Sequence, residues 1–155
     1  MRVSTDIRND KAIERVFEIL PGRIRKKVSR KALRKGASIV AKSARKNIRS
    51  ITASSKVTTG TLAKGIRFYN MKNYKGALRV GVMVQKGLVN EKKIINGKPV
   101  RVGLYASVLE YGKANQTPRP WLRPALDNNE GAVESVVRST MSDGIIQEVA
   151  KLRVR

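Results

Sequence analysis

The sequence contains no cysteine and no histidine. Without Cys there can be neither a disulfide nor a thiolate metal site. Without His the commonest general base and the commonest metal ligand are missing, and Ser–His or Cys–His nucleophilic arrangements cannot be built. Acids are also scarce, eleven Asp and Glu against thirty-four Lys and Arg. They are scattered from Asp6 to Glu148 and do not gather as a two-metal nuclease would require. Gly60 to Gly65, GTLAKG, is not a phosphate-binding loop, because no Gly-Lys-Ser/Thr closes it. No apolar run approaches the length of a membrane span. The opening stretch MRVSTDIRND has no hydrophobic segment, which reads as no secretory signal and as folding in a cytoplasm. No catalytic residue, cofactor or metal is therefore expected, and no membrane partner.

What is present is positive charge. The formal net charge is +23 over 155 residues. Such an excess repels itself and implies a polyanionic neighbour: nucleic acid, acidic protein or anionic lipid. The length suits one domain, 1–155, with an ordinary apolar share of 41% and loose ends at 1–9 and 153–155.

Asn9 or Asp10 can cap a first helix with Ala12, Ile13, Val16, Phe17 and Leu20 on one face, and Pro21-Gly22 breaks it. Arg23 to Ile51 reads as the longest helix. Ile24, Val28, Ala32, Leu33, Ala37, Val40, Ala41, Ala44, Ile48 and Ile51 recur at steps of three and four. The other side is basic, with Lys26, Lys27, Arg30, Lys31, Arg34, Lys35, Lys42, Arg45 and Lys46 prominent and no acid between Arg23 and Arg49. Like charges four apart cost about 0.2–0.5 kcal/mol each in an isolated helix, so this one needs tertiary packing. Ser50 to Gly60 is a polar linker, and Thr59-Gly60 a turn into the sheet.

Gly65 to Asn70 and Ala77 to Gln85 read as strands around a Tyr74-Lys75-Gly76 turn. Asn96-Gly97 suits a type I′ turn, so 86–102 reads as a projecting hairpin, limited to an edge by Pro99 and offering Ile94 and Ile95 as contacts for a neighbour. After Pro124 a helix runs to about Met141 on Ala132, Val133, Val136 and Val137. Ser142-Asp143-Gly144 is expected to interrupt it before Ile145 to Leu152 resumes. The fold class is α+β: a small antiparallel sheet packed against a long basic N-terminal helix and a C-terminal helix.

The stretch Tyr105 to Leu126, YASVLEYGKANQTPRPWLRPAL, holds the single Trp and three of the five Pro. Tyr105, Val108 and Leu109, extended by Leu104 and Tyr111, form one face of a short helix that Gly112 stops. Pro118 and Pro120 hold Thr117 and Arg119 extended, and Trp121 and Leu122 follow as an apolar anchor. Pro124 suits the first turn of a helix. Glu110 reads as an ion-pair partner for Arg119 or Arg123, and Trp121 equally as core or as an exposed anchor. Tyr105, Glu110, Tyr111, Arg119, Pro120, Trp121, Leu122, Arg123 and Pro124 make up a candidate assembly junction.

The pattern Tyr-Ala-x-x-Leu-Glu-Tyr-Gly, a polar gap, then Arg-Pro-Trp-Leu-Arg-Pro-Ala-Leu resembles the signature of the tail-completion, or minor head–tail joining, family of long-tailed phages. Upstream, KSARKN at 42–47, Thr59-Gly60-Thr61-Leu62 and Ile66 resemble that family's basic helix, turn and first strand. The resemblance covers roughly 20–140. The chain departs in having ITASSKVT at 51–58, where the family often has Pro before its Thr-Gly turn. The resemblance implies a structural virion protein of the neck or tail, made in the host cytoplasm, which completes the tail and joins it to the head around the DNA channel. Its implied partners are a connector, a tail terminator, the tail tube and further copies of itself in a ring. The alternative from composition is a non-specific nucleic-acid-binding protein. The basic face reads as solvated, as facing an acidic neighbour, or as holding duplex phosphates non-specifically. The first two are favoured, since DNA moving through a channel must not be gripped.

Overall fold

The computed structural model describes residues 11–52, 60–95 and 97–153. The element order is α1 (Lys11–Ile19), α2 (Gly22–Thr52), α3 (Thr61–Gly65), β1 (Ile66–Tyr74), β2 (Ala77–Val84), β3 (Val89–Ile95), β4 (Lys98–Arg101), α4 (Val102–Tyr111), α5 (Arg123–Asp127) and α6 (Glu130–Arg153). The class is mixed α+β, with the sheet content in two separate antiparallel pairs, β1–β2 and β3–β4. The expected caps Asn9 and Asp10, and most of the expected linker, lie outside the described residues.

The long helix α2 is the spine. In its first half Val28, Ala32 and Gly36 are buried, each four residues from the last. Steps of four drift by about 40° around a helix of 3.6 residues per turn. The buried face therefore rotates, and in the second half it is Val40, Ala41, Ala44 and Ile48 that are covered. The two halves meet different partners. The second half joins Leu62, Ala63, Ile66, Val102, Ala106, Leu109, Trp121 and Ala125 in the main core. The first half packs on α6, and Leu20, Val28 and Ile145 form a smaller cluster there.

The α2–α6 contact is close because glycine faces valine in both directions. A Cβ on Gly36 would lie 2.8 Å from Val137 Cγ2 and 3.0 Å from Val133 Cγ1, and one on Gly144 would lie 2.8 Å from Val28 Cγ1. The pairing of residue 28 with 144 and of 36 with 137 makes the helices antiparallel. This corrects the expected break at Ser142-Asp143-Gly144: α6 runs through it without interruption. Gly144 is there to let α2 approach, not to end a helix. It also corrects the apolar face of α6, where Val137, Thr140, Gly144 and Ile145 are buried while Ala132 is exposed. A charged contact reinforces the pair at its end. Glu148 Oε1 lies 3.1 Å from Lys27 Nζ and 3.1 Å from Lys151 Nζ. The hydrogen bonds from Lys151 and Lys27 hold the Glu148 carboxyl below its usual range. A carboxylate depressed in this way stabilises the fold above its ordinary pKa, and that contribution is lost as pH falls through the lower folded value.

The β1–β2 hairpin turns at Lys75 and Gly76, with φ of 47° and 80°. Two successive left-handed residues match the twist of a two-residue hairpin. The strand starts at Ile66, within one residue of the expected Gly65, and ahead of it Thr61–Gly65 coils into α3. Leu62 and Ala63 are buried by it. Ile66 is fully buried, and Phe68 and Asn70, two and four residues on, share its face and look towards α2. In β3–β4, Ile94 pairs with Pro99 and Ile95 with Lys98; Asn96 of the expected Asn-Gly turn lies outside the described residues. Leu88 packs on the core and Val102 is buried as the first residue of α4, so the ends of the 86–102 stretch belong to the body.

The glycine contact sets two substitutions against each other. Gly144→Ala should destabilise by about 1–2 kcal/mol, because with Val28 Cγ1 at 2.8 Å an overpacking cost of about 2–3 kcal/mol exceeds the helix-propensity gain of about 1 kcal/mol. A Cβ at Gly131 meets nothing within 4 Å, so Gly131→Ala should stabilise by about 0.4–1 kcal/mol. Denaturant unfolding of both variants measures the two signs, and the same sign for both would contradict the packing described.

Candidate assembly junction and basic groove

The 105–126 stretch folds as two helices joined by a short, tightly bonded loop. Helix α4 ends at Gly112, whose φ is 78° and whose N–H donates to Val108 O. A side chain there is excluded twice, by the backbone angle and by Gln116 O at 2.7 Å from an added Cβ. Lys113 and Gln116 then exchange backbone hydrogen bonds of 3.0 and 2.9 Å, which closes the turn, and Arg119 N donates to Leu109 O at 2.7 Å. The two prolines leave the intervening segment little freedom.

Glu110 is the centre of this arrangement, and not in the manner expected. It does not pair with the side chain of Arg119 or Arg123. Its Oε2 accepts from Trp121 N and Leu122 N, both at 2.8 Å, and its Oε1 accepts from Arg123 N at 3.0 Å. These are the donors leading into α5, whose N-cap residue, Leu122, supplies no side-chain cap. A helix start leaves its first N–H groups without intrahelical partners. Here a carboxylate eleven to thirteen residues upstream accepts from three successive donors, and Pro124 follows with no donor to satisfy. Trp121 resolves to core: it is 3% exposed, and its Nε1 donates to Ala106 O at 3.1 Å. Asn47 Nδ2 donates to Trp121 O at 3.0 Å, which ties the junction to α2.

The outer surface of α4 differs from expectation as well. Val102, Ala106 and Leu109 face the core. Leu104 and Tyr111, placed by their spacing on one face with Tyr105, Val108 and Leu109, are 66% and 73% exposed. Tyr105 is half-buried against the core, Pro120 is exposed, and Leu122 and Pro124 are partly covered. Ile94 is 65% exposed on the β3–β4 hairpin; the side chain of Ile95 lies outside those described.

The expected basic face divides. Lys26, Lys27, Arg30, Lys31, Arg34 and Lys35 line one open groove of 770 Å³ together with Arg23, Ser38 and Phe68. Arg34 Nε donates to Asn70 Oδ1 at 3.2 Å, so β1 forms the far wall. Lys42 and Lys46 are exposed further along α2. Arg45 turns inward instead. Its Nε and Nη2 donate to Ile66 O at 3.2 and 2.6 Å, anchoring the start of β1 on α2. Nothing in its sequence context separates Arg45 from the other cations. Among the described residues there is no group of three or more His, Cys, Asp or Glu that could hold a metal ion. No described helix is long and apolar enough to cross a membrane.

The class is that of a small α+β scaffold whose buried polar contacts fix backbone in place. The family model described as "Bacteriophage HK97-gp10, putative tail-component" matches residues 10–112, about two thirds of the chain. The chain belongs to this family: it is a phage tail component with a structural role, and as such a part of the virion. The match takes in α1 to α4 and ends at Gly112, so Trp121, α5 and α6 lie beyond it. No curated protein and no solved structure matches the chain.

Removal of the Glu110 carboxylate should expose its structural role. Glu110→Ala should cost about 2–3 kcal/mol, because several donors lose a charged acceptor at once. Arg119→Ala and Arg123→Ala should each stay within about 0.5 kcal/mol, as surface changes do. Trp121→Ala should cost about 3–5 kcal/mol. Urea unfolding of the four variants checks the order; a large loss in either Arg variant would restore the ion-pair reading.

Proposed function

We propose that this tail component completes the tail and joins it to the head around the channel through which DNA passes. The observation that carries this reading is membership of a phage tail-component family across α1 to α4. The junction fits the role. Its backbone is pinned from α4 and α2 at once, while Leu104 and Tyr111 stand outward on the same short helix. Exposed large apolar side chains on a rigid element suit a contact that must form in one register. The partners we propose are the connector, the tail terminator and the tail tube, with further copies of the chain completing a ring. The chain acts as one domain, because both core clusters draw on α2. A stand-alone nucleic-acid-binding protein is the weaker reading, since it gives no reason for the family match.

Particles made without this protein should accumulate as filled heads and separate tails. Adding the purified chain should join them, as counted by electron microscopy. A Leu104→Glu/Tyr111→Glu variant should fold normally and lower joining at least tenfold. Normal joining in the absence of the protein would overturn the reading.

A further inference from the structure

We propose that the groove between α2 and β1 is a binding site for the phosphodiester backbone of duplex DNA, held without reading its sequence. Seven cations line it, from Arg23 to Lys35. At about 1.5 Å rise per residue they span about 18 Å, a mean spacing of roughly 3 Å between successive positive charges. A single strand of B-DNA presents one phosphate per about 3.4 Å of axis. The groove is thus at least as dense in positive charge as the strand is in negative charge. One acid intrudes, Glu148 from α6, which bonds Lys27 at the margin and is shared with Lys151.

Three observations favour this occupant over an acidic protein or a single strand. Four of the seven cations are Lys. Lysine is depleted in protein–protein interfaces but serves well as a point charge for phosphate. Apart from Phe68 no aromatic side chain lines the groove. Base stacking, the mainstay of single-strand binding, has no platform there. The helix is also held from behind by α6, through Gly36 and Gly144, so only its charged side is open and the helix cannot be swallowed by a groove of the duplex. It lies along the backbone, where contacts position but do not specify. Such contacts exchange with counterions and let a protein slide, so a moving duplex is guided rather than stopped. The choice of DNA as the duplex rests on the reading of the chain as a head–tail component; the phosphate chemistry rests on the groove alone.

The test is a titration of the full chain with 30-bp DNA duplexes of two unrelated sequences across a salt series. Both duplexes should bind equally. With about six phosphate contacts, log K should fall against log salt with a slope near −5. A variant with Lys26, Lys27, Arg30, Lys31, Arg34 and Lys35 changed to Gln should bind at least a hundredfold more weakly at 50 mM salt. The paired variant Lys26→Gln/Arg30→Gln should flatten the slope by about two. A control changes Lys42, Lys46, Arg49, Lys64, Lys86 and Lys113 to Gln, all exposed and outside the groove. It carries the same net charge as the first variant and should lose less than tenfold. Equal losses in the two six-site variants would overturn the site, as would no binding by the wild type. Polyglutamate held as tightly as the duplex at equal charge would also overturn it, in favour of an acidic protein. Duplex binding is measured without heads or tails, so this proposal and the joining role fall separately.

Discussion

The uninterrupted positive charge of α2 is the constraint on which the rest of the molecule depends. A helix of 31 residues with no acid along it works against itself. It persists because its other side is buried along its whole length. The drift of the buried stripe allows one helix to serve two clusters: the α6 contact in its first half and the main core in its second. The fold is better described as a set of elements laid on one rod than as a sheet with helices on a face. Even β1 is fixed by the rod, through Arg45 on Ile66 O.

The junction solves a different problem, that of stopping one helix and starting another within a dozen residues. Each device in it removes a backbone liability. Gly112 takes the left-handed turn, Glu110 accepts from the open donors before α5, and Pro124 withholds a donor altogether. Trp121 then closes the space between α4 and α2 with its only polar side-chain atom satisfied. A surface whose backbone is over-determined in this way can present Leu104 and Tyr111 at a fixed spacing. That fits the joining role proposed for the chain.

Much of this was legible in the sequence. The 3.6-residue period gave α2 to within a residue at each end. The Ala77 to Gln85 strand and the Gly112 stop were local signals with local causes. What was hidden had tertiary causes. Gly144 looks like a helix breaker until Val28 is seen against it. Glu110 sits among arginines, and charge proximity suggested an ion pair, whereas its partners are backbone N–H groups that every residue but Pro carries and no composition reveals. A signal did exist: a helix start marked by Pro124 and lacking Ser, Thr, Asp or Asn before it needs an acceptor from elsewhere. Arg45 lies among exposed cations of the same type. The exposure of Leu104 and Tyr111 was hidden because apolar spacing alone cannot tell a covered position from an open one.

The family match and the groove together describe a tail component whose spine is tolerated rather than favoured by its own charge. The most direct measurement of that claim is the melting temperature of the purified chain against ionic strength. Screening at about 0.5 M salt shortens the reach of exposed charges to a few ångströms. If α2 is strained by self-repulsion, the wild type should melt several degrees higher at 0.5 M than at 20 mM sodium chloride. A melting temperature that is flat or falls over that range would contradict the account.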